Sequence, residues 1–94
     1  MKLTLDALTV LDAIDRKGSF AGAAQELFRV PSTVTYTVQK LEEDLGFTIF
    51  KRVGRRSVLT PAGVVLLDQG RQLLTAAQEV VAKAHQVNSG WEAE

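Results

Sequence analysis

Two groups of polar side chains have the types and spacing for contact chemistry. Ser32, Thr33, Thr35, Tyr36 and Gln39 are uncharged hydrogen-bonding residues crowded into eight positions, and Lys51, Arg52, Arg55 and Arg56 are cations within six. The first group can exchange hydrogen bonds with base edges, and its threonine methyls can meet thymine methyls. The second can neutralise phosphates or enter a narrow minor groove. Catalytic chemistry has little to work with. There is no cysteine, and the single histidine, His85, has no convergent carboxylates, so neither a triad nor a metal set can be assembled and no cofactor is expected. His85 reads as a solvated or interface residue; a lone histidine at an interface can respond to pH.

The hydroxyl group needs a rigid carrier. Val34, Val38, Leu41 and Leu45 fall at steps of four, three and four, which puts them on one stripe of a helix. Ser32, Thr33, Tyr36 and Gln39 then lie opposite, with Thr35 and Thr37 on the flanks. Acidic residues enter only in the last turn, as Glu42, Glu43 and Asp44. A helix that enters the major groove must keep anions off its front end in this way. On this stretch alone a core helix with a polar outer face fits equally well, and the flanking sequence decides.

Upstream, Leu5, Leu8, Leu11 and Ile14 form a helical stripe, with Ala7 and Val10 beside it. Thr4 can cap its start, Asp6 suits its first turn, Arg16 and Lys17 suit its last, and Gly18 can end it. Ser19 caps a short second helix in which Phe20, Ala24 and Leu27 share a face. Residues 28–30 make a turn, Pro31 fits the first position of the third helix, and Gly46 closes it. Helix, helix, tight turn, helix is the helix-turn-helix arrangement.

After Phe47 the period changes. Phe47, Ile49, Val58 and Leu59 suit two short strands around a polar tip at residues 51–57, bent at Gly54. A lone hairpin is unstable in water, so this one must pack on the helices as a wing. Thr60 and Pro61 then cap and start a long helix reaching about Val87. Its apolar residues recur every seven positions in three rows: Gly63, Gly70, Ala77 and Ala84; Leu66, Leu73, Val80 and Val87; Leu67, Leu74 and Val81. That stripe is too wide for an isolated helix in water. Self-association through Leu66, Leu67, Gly70, Leu73, Leu74, Ala77, Val80, Val81 and Ala84 is expected, against the alternative of a helix folded back on its own domain. Burial at roughly 25 cal/mol per Å² would favour pairing after the entropy of association is subtracted.

The bulk composition is consistent with this layout. Ninety-four residues, 46% hydrophobic and 23% charged, suit one small domain with an extension. Net charge is zero, so no global field draws the chain to nucleic acid. Between Arg29 and Arg56, however, six basic residues face three acidic ones. No apolar run nears the ~20 residues that span a bilayer, and no signal peptide is visible, so a cytoplasmic protein is the default.

With these residues in place, the chain resembles the N-terminal part of the LysR-type transcriptional regulators. The matching stretches are Gly18-Ser19-Phe20, Ala23-Ala24 followed by Leu27, Leu41-Glu42-Glu43-Asp44-Leu45-Gly46, Phe50-Lys51-Arg52 and Leu59-Thr60-Pro61-Ala62-Gly63, within a similarity running from about Leu3 to Leu74. The resemblance implies a mainly α fold: a winged helix-turn-helix of three helices and a two-stranded wing over residues 1–60, then a dimerisation linker helix over 61–88. Residues 89–94 would be a hinge, with Trp91 packing on the partner helix or on a further domain. It also implies double-stranded DNA as partner, a homodimer, possible tetramers of the full-length protein, and a downstream domain of two α/β lobes for a small-molecule effector. The chain is then the DNA-binding part of a longer regulator.

The family's base-reading positions correspond to Pro31, Ser32, Thr33, Thr35 and Tyr36. Gln39 and Lys40 are assigned to backbone, and Arg52, Arg55 and Arg56 to phosphates or the minor groove. The chain departs from the usual pattern where members carry Ser, Gln and Pro, here Val30, Pro31 and Ser32, and where Ser-Arg is usual, here Thr35-Tyr36. Loss of the Gln and Arg removes base contacts, so a different operator is expected. A winged-helix module that binds protein instead of DNA is the rival reading.

Overall fold

The computed structural model describes residues 3–92 of the chain, and the side chains of residues 3–90. Helix α1 spans Leu5–Lys17, α2 Phe20–Glu26 and α3 Pro31–Leu45; strands β1 (Phe50–Val53) and β2 (Arg56–Leu59) follow, and α4 spans Pro61–Glu92. Local chemistry sets these boundaries. Thr4 Oγ1 accepts from the Ala7 amide at 3.0 Å, Ser19 Oγ from Gly22 at 2.9 Å and Thr60 Oγ1 from Gly63 at 3.0 Å, so three helices begin on a hydroxyl cap. Gly18 and Gly46 end α1 and α3 at φ 76° and 81°. α3 starts differently. Val30 holds its cap position with no side-chain bond, and Pro31, with no N–H to satisfy, comes next.

The core is one cluster. Leu8, Leu11 and Ile14 of α1 meet Ala23 and Ala24 of α2, Val34, Val38 and Leu41 of α3, and Ile49 and Leu67. Each large side chain buried here contributes ~1.5–3 kcal/mol relative to exposure.

In the wing, Phe50 pairs with Leu59 and Val53 with Arg56, leaving Gly54-Arg55 as a two-residue turn. Gly54 has φ 61°, the positive value that the first central position of this tight hairpin turn requires. The expected polar tip at residues 51–57 is therefore too long, since the ladder runs through Lys51–Val53 and Arg56–Ser57. The tight turn lets pairing continue to its edge, while Ile49, expected in a strand, precedes the ladder and goes into the core. Three anchors hold the hairpin to the helices. The Ser57 amide donates to Gly18 O at 3.0 Å, the Ile49 amide to Glu42 Oε2 at 2.7 Å, and Thr60 Oγ1 to Thr48 O at 2.7 Å.

α4 divides into two halves. Gly63, Leu67 and Gly70 are buried, with Leu66 and Leu74 partly buried against the core. Leu67 and Gly70, expected in a seam between subunits, are thus covered by their own chain: Leu67 is 0% exposed, and Gly70 lies against Leu8. The small residues let α4 approach α1 closely, so here the folded-back alternative wins. From Gln78 to Gly90 every residue is exposed. A helix of 32 residues is about 48 Å long at 1.5 Å per residue, which accounts for the 58 Å long axis of the molecule. Ser89 and Gly90, expected as part of a hinge, continue the helix; one interior glycine costs only about 1 kcal/mol relative to alanine. The expectation for the Trp91 side chain, and those for residues 93–94, fall outside the described residues. Among the described residues no helix is long and apolar enough to cross a membrane.

Candidate nucleic-acid interface

Thr35 and Gln39 are one helical turn apart, so they share a face of α3. That face forms one wall of an open cleft of about 490 Å³. Lys51, Arg52, Arg55 and Ser57 of the wing line the same cleft, together with Ser19, Phe20 and Ala21. Phe20 and Phe50 meet edge to face, with centroids 5.8 Å apart, and tie the α2 end of the cleft to the wing. Glu42 is the acidic residue in the lining, and its Oε2 accepts the Ile49 amide. It therefore serves to hold the wing in place. Hydroxyl and amide donors sharing a cleft with three cations suit a polyanion that also carries hydrogen-bonding edges.

Charge pairing elsewhere sharpens this. Arg16 bridges Asp12 and Glu26, Arg71 bridges Asp12 (2.8 Å) and Asp15 (3.0 Å), and Arg29 holds Asp6 at 2.5 Å. Hydrogen bonds from Arg29 and Arg16 hold the carboxyls of Asp6 and Glu26 below the ordinary carboxylate range. For Asp12, partial burial pushes upward, but hydrogen bonds from Arg16 and Arg71 outweigh it and the net shift is downward. Among the described residues, Lys51, Arg52, Arg55 and Arg56 take part in none of these pairs. The zero net charge therefore hides an uncompensated basic wing. Arg29, counted by sequence toward a basic edge, is neutralised by Asp6.

The remaining candidates are spread around the tip. Pro31, Ser32 and Thr33 are exposed on its first turn. Tyr36 and Lys40 line a separate groove beside Thr4, Asp6 and Ala7 at the start of α1, away from the wing. Thr37 Oγ1 donates back to Thr33 O at 3.0 Å, so its hydroxyl is engaged within the helix. The Arg56 guanidinium lies over Gly18, where an added Cβ would stand 2.8 Å from Nη2; it thus covers the α1–α2 turn instead of the wing tip. Ser19, Phe20, Ala21 and Ser57 line the cleft without having been expected to. Only the hairpin register could have pointed to Ser57.

Comparison with known proteins fits this geometry. The family model described as bacterial regulatory helix-turn-helix protein, lysR family, matches residues 5–64. The chain is 54% identical over 90 residues to a probable HTH-type transcriptional regulator, YhaJ, of Escherichia coli K12, covering 96% of this chain and 30% of that protein. It thus spans about a third of the length of this relative. Among solved structures it is similar to the BenM DNA-binding domain in complex with benA site 1 DNA (TM-score 0.88, 27% identity, 94% of this chain and 99% of that one). It is also similar to the DNA complex of the CbnR DNA-binding domain (TM-score 0.84, 28% identity, 92% and 99%). The chain belongs to the LysR family of bacterial regulatory helix-turn-helix proteins.

Proposed function

We propose that this chain is the sequence-specific, double-stranded-DNA-binding part of a transcriptional regulator, acting as a homodimer. One observation carries the reading: the hydrogen-bonding face of α3 and the unpaired cations of the wing line the same cleft. The front of α3 would lie in the major groove, with Ser32, Thr33, Thr35 and Tyr36 at base edges and Pro31 setting the close approach. Gln39 and Lys40 would touch backbone. Arg52 and Arg55 would follow the adjacent strand or minor groove, and Arg56 would meet phosphate near the α1–α2 turn. The phosphate contacts supply most of the affinity, and the helix tip supplies the choice of sequence.

Residues 1–60 form the reading head in this proposal, and α4 joins two of them. The exposed residues from Leu73 onward, Val80 and Val81 above all, are the natural seam. The whole regulator would be a cytoplasmic, non-enzymatic protein that senses a small molecule through a domain outside this chain and that assembles further into tetramers.

Selection of bound sites from random duplexes, using the 94-residue chain, tests the proposal. The expected result is an enriched half-site repeated with two-fold or near two-fold symmetry. No enrichment, with no salt-dependent retention on random duplex, would return the fold to the protein-binding alternative.

A further inference from the structure

Two large apolar side chains just before the tip of α3 are exposed among the described residues. Phe28 is 96% exposed and Val30 is 64% exposed. Arg29 between them folds back to α1, where Nη1 and Nη2 reach the Asp6 carboxylate at 3.1 and 2.5 Å. That anchor fixes the turn and leaves its two neighbours in solvent.

Neither neighbour suits the folded chain where it stands. Phe28 has φ 55°, a left-handed conformation that Asn or Gly adopts far more readily. Val30 caps α3 without a cap bond, where Ser, Asn or Asp would accept one from the first turn. Stability alone favours polar residues at both places. Both lie within three residues of Pro31, so even a fully extended backbone keeps them inside about 11 Å of the helix tip. Val30 is the cap residue next to Pro31, so its exposed surface adjoins the first turn of α3, which the reading above places in the major groove. The apolar group that base edges display in the major groove is the thymine methyl.

We propose that Val30, with Phe28 beside it, contacts thymine methyl groups at the edge of each half-site and so selects T·A over C·G there. The inference rests on the DNA-binding reading, and its test separates the two.

The 94-residue chain is titrated onto the duplex recovered by selection, with thymines replaced one at a time by deoxyuridine, which removes only the methyl. Val30→Ser and Phe28→Asn are run beside it. Each supplies what the local backbone favours, so both should melt at or above the parent temperature, which excludes misfolding as the cause of any loss. At one or two edge positions, uracil should weaken parent binding roughly fourfold, the worth of one buried methyl group. The variants should show no loss at those positions while keeping their sensitivity elsewhere. Parent binding indifferent to uracil at the edge, or variants as sensitive as the parent, would overturn the inference and leave this surface to a protein partner. A parent that binds no duplex overturns the DNA reading itself.

Discussion

Gly70 lies directly on Leu8: a Cβ added to Gly70 would stand closer than 3.0 Å to the Leu8 Cδ2 methyl. This contact sets the separation of α4 from α1, and hence the direction in which the exposed half of α4 leaves the domain. One heptad earlier, Gly63 makes a tighter approach, where a Cβ would meet the Ile49 carbonyl oxygen, the same atom that accepts the Thr60 amide at 2.9 Å. The linker helix is thus keyed to the reading head through two missing side chains.

Three glycines of α4 should therefore respond differently to alanine. Gly63→Ala drives a methyl into backbone that cannot rotate aside, and overpacking of this kind costs about 1–3 kcal/mol. Gly70→Ala meets the end of a side chain and should cost less, partly offset by the gain of about 1 kcal/mol in helix propensity. Gly90 has nothing within 4 Å of its Cβ position, so Gly90→Ala should be neutral or slightly stabilising. Thermal melts should rank them in that order. Equal melting of the Gly63→Ala variant and the parent would mean α4 does not sit this close.

Acid should loosen the ion pairs that tie α1 to α2, to the turn before α3 and to α4. Asp6, Asp12 and Glu26 have folded-state pKa values below the ordinary ones. Each therefore adds stability that is present above the ordinary carboxylate pKa and is lost as pH falls through the lower, folded value. These pairs are largely solvated, so the effect should be modest and should shrink in salt. Melting temperature should fall from pH 5 to pH 3, and less steeply in Arg16→Gln and Arg71→Gln variants. The same slope in those variants would show that other groups carry the acid sensitivity.

The two halves of α4 should separate folding from association. Val80 is 68% exposed and Val87 72%. Val80→Asp or Val81→Asp should leave helical circular dichroism unchanged and shift sedimentation toward the monomer. Leu67→Ala opens a cavity in the core, costs about 2–5 kcal/mol and should act through unfolding. A Val80→Asp chain that sediments like the parent would place the seam elsewhere.

Much of this was legible in the residues because the signals were local. A hydroxyl at Thr4, Ser19 and Thr60 and a glycine at Gly18 and Gly46 act on their own turn, so the helix starts and stops follow from sequence. The wing strands were harder, because periodicity shows that Ile49 is apolar but not whether it faces a sheet or the core. The heptad rows of α4 raised the same question. Leu67 and Val81 occupy one row, yet the first is covered by α1 and the second is not, because the domain reaches only so far along the helix. Arg29 and Arg52 look alike in sequence. Only the fold brings Asp6 to one and leaves the other unpaired.

That difference in pairing makes the wing testable by salt alone. A cation that neutralises a phosphate releases a counterion, and each such contact adds ~0.9 to the slope of log affinity against log salt. Arg52→Ala and Arg55→Ala should each weaken binding to every duplex and flatten that slope by up to this amount, with the preferred sequence unchanged. Arg71, held by Asp12 and Asp15, provides the contrast: Arg71→Ala removes the same formal charge but should leave the slope alone. Thr35→Ala should do the converse of the wing variants, altering which site is preferred by an amount on the order of 1–3 kcal/mol at one base pair while keeping the salt slope. If all of these variants flattened the slope equally, the wing would be contributing only net charge, and its arginines could not be in contact with phosphate.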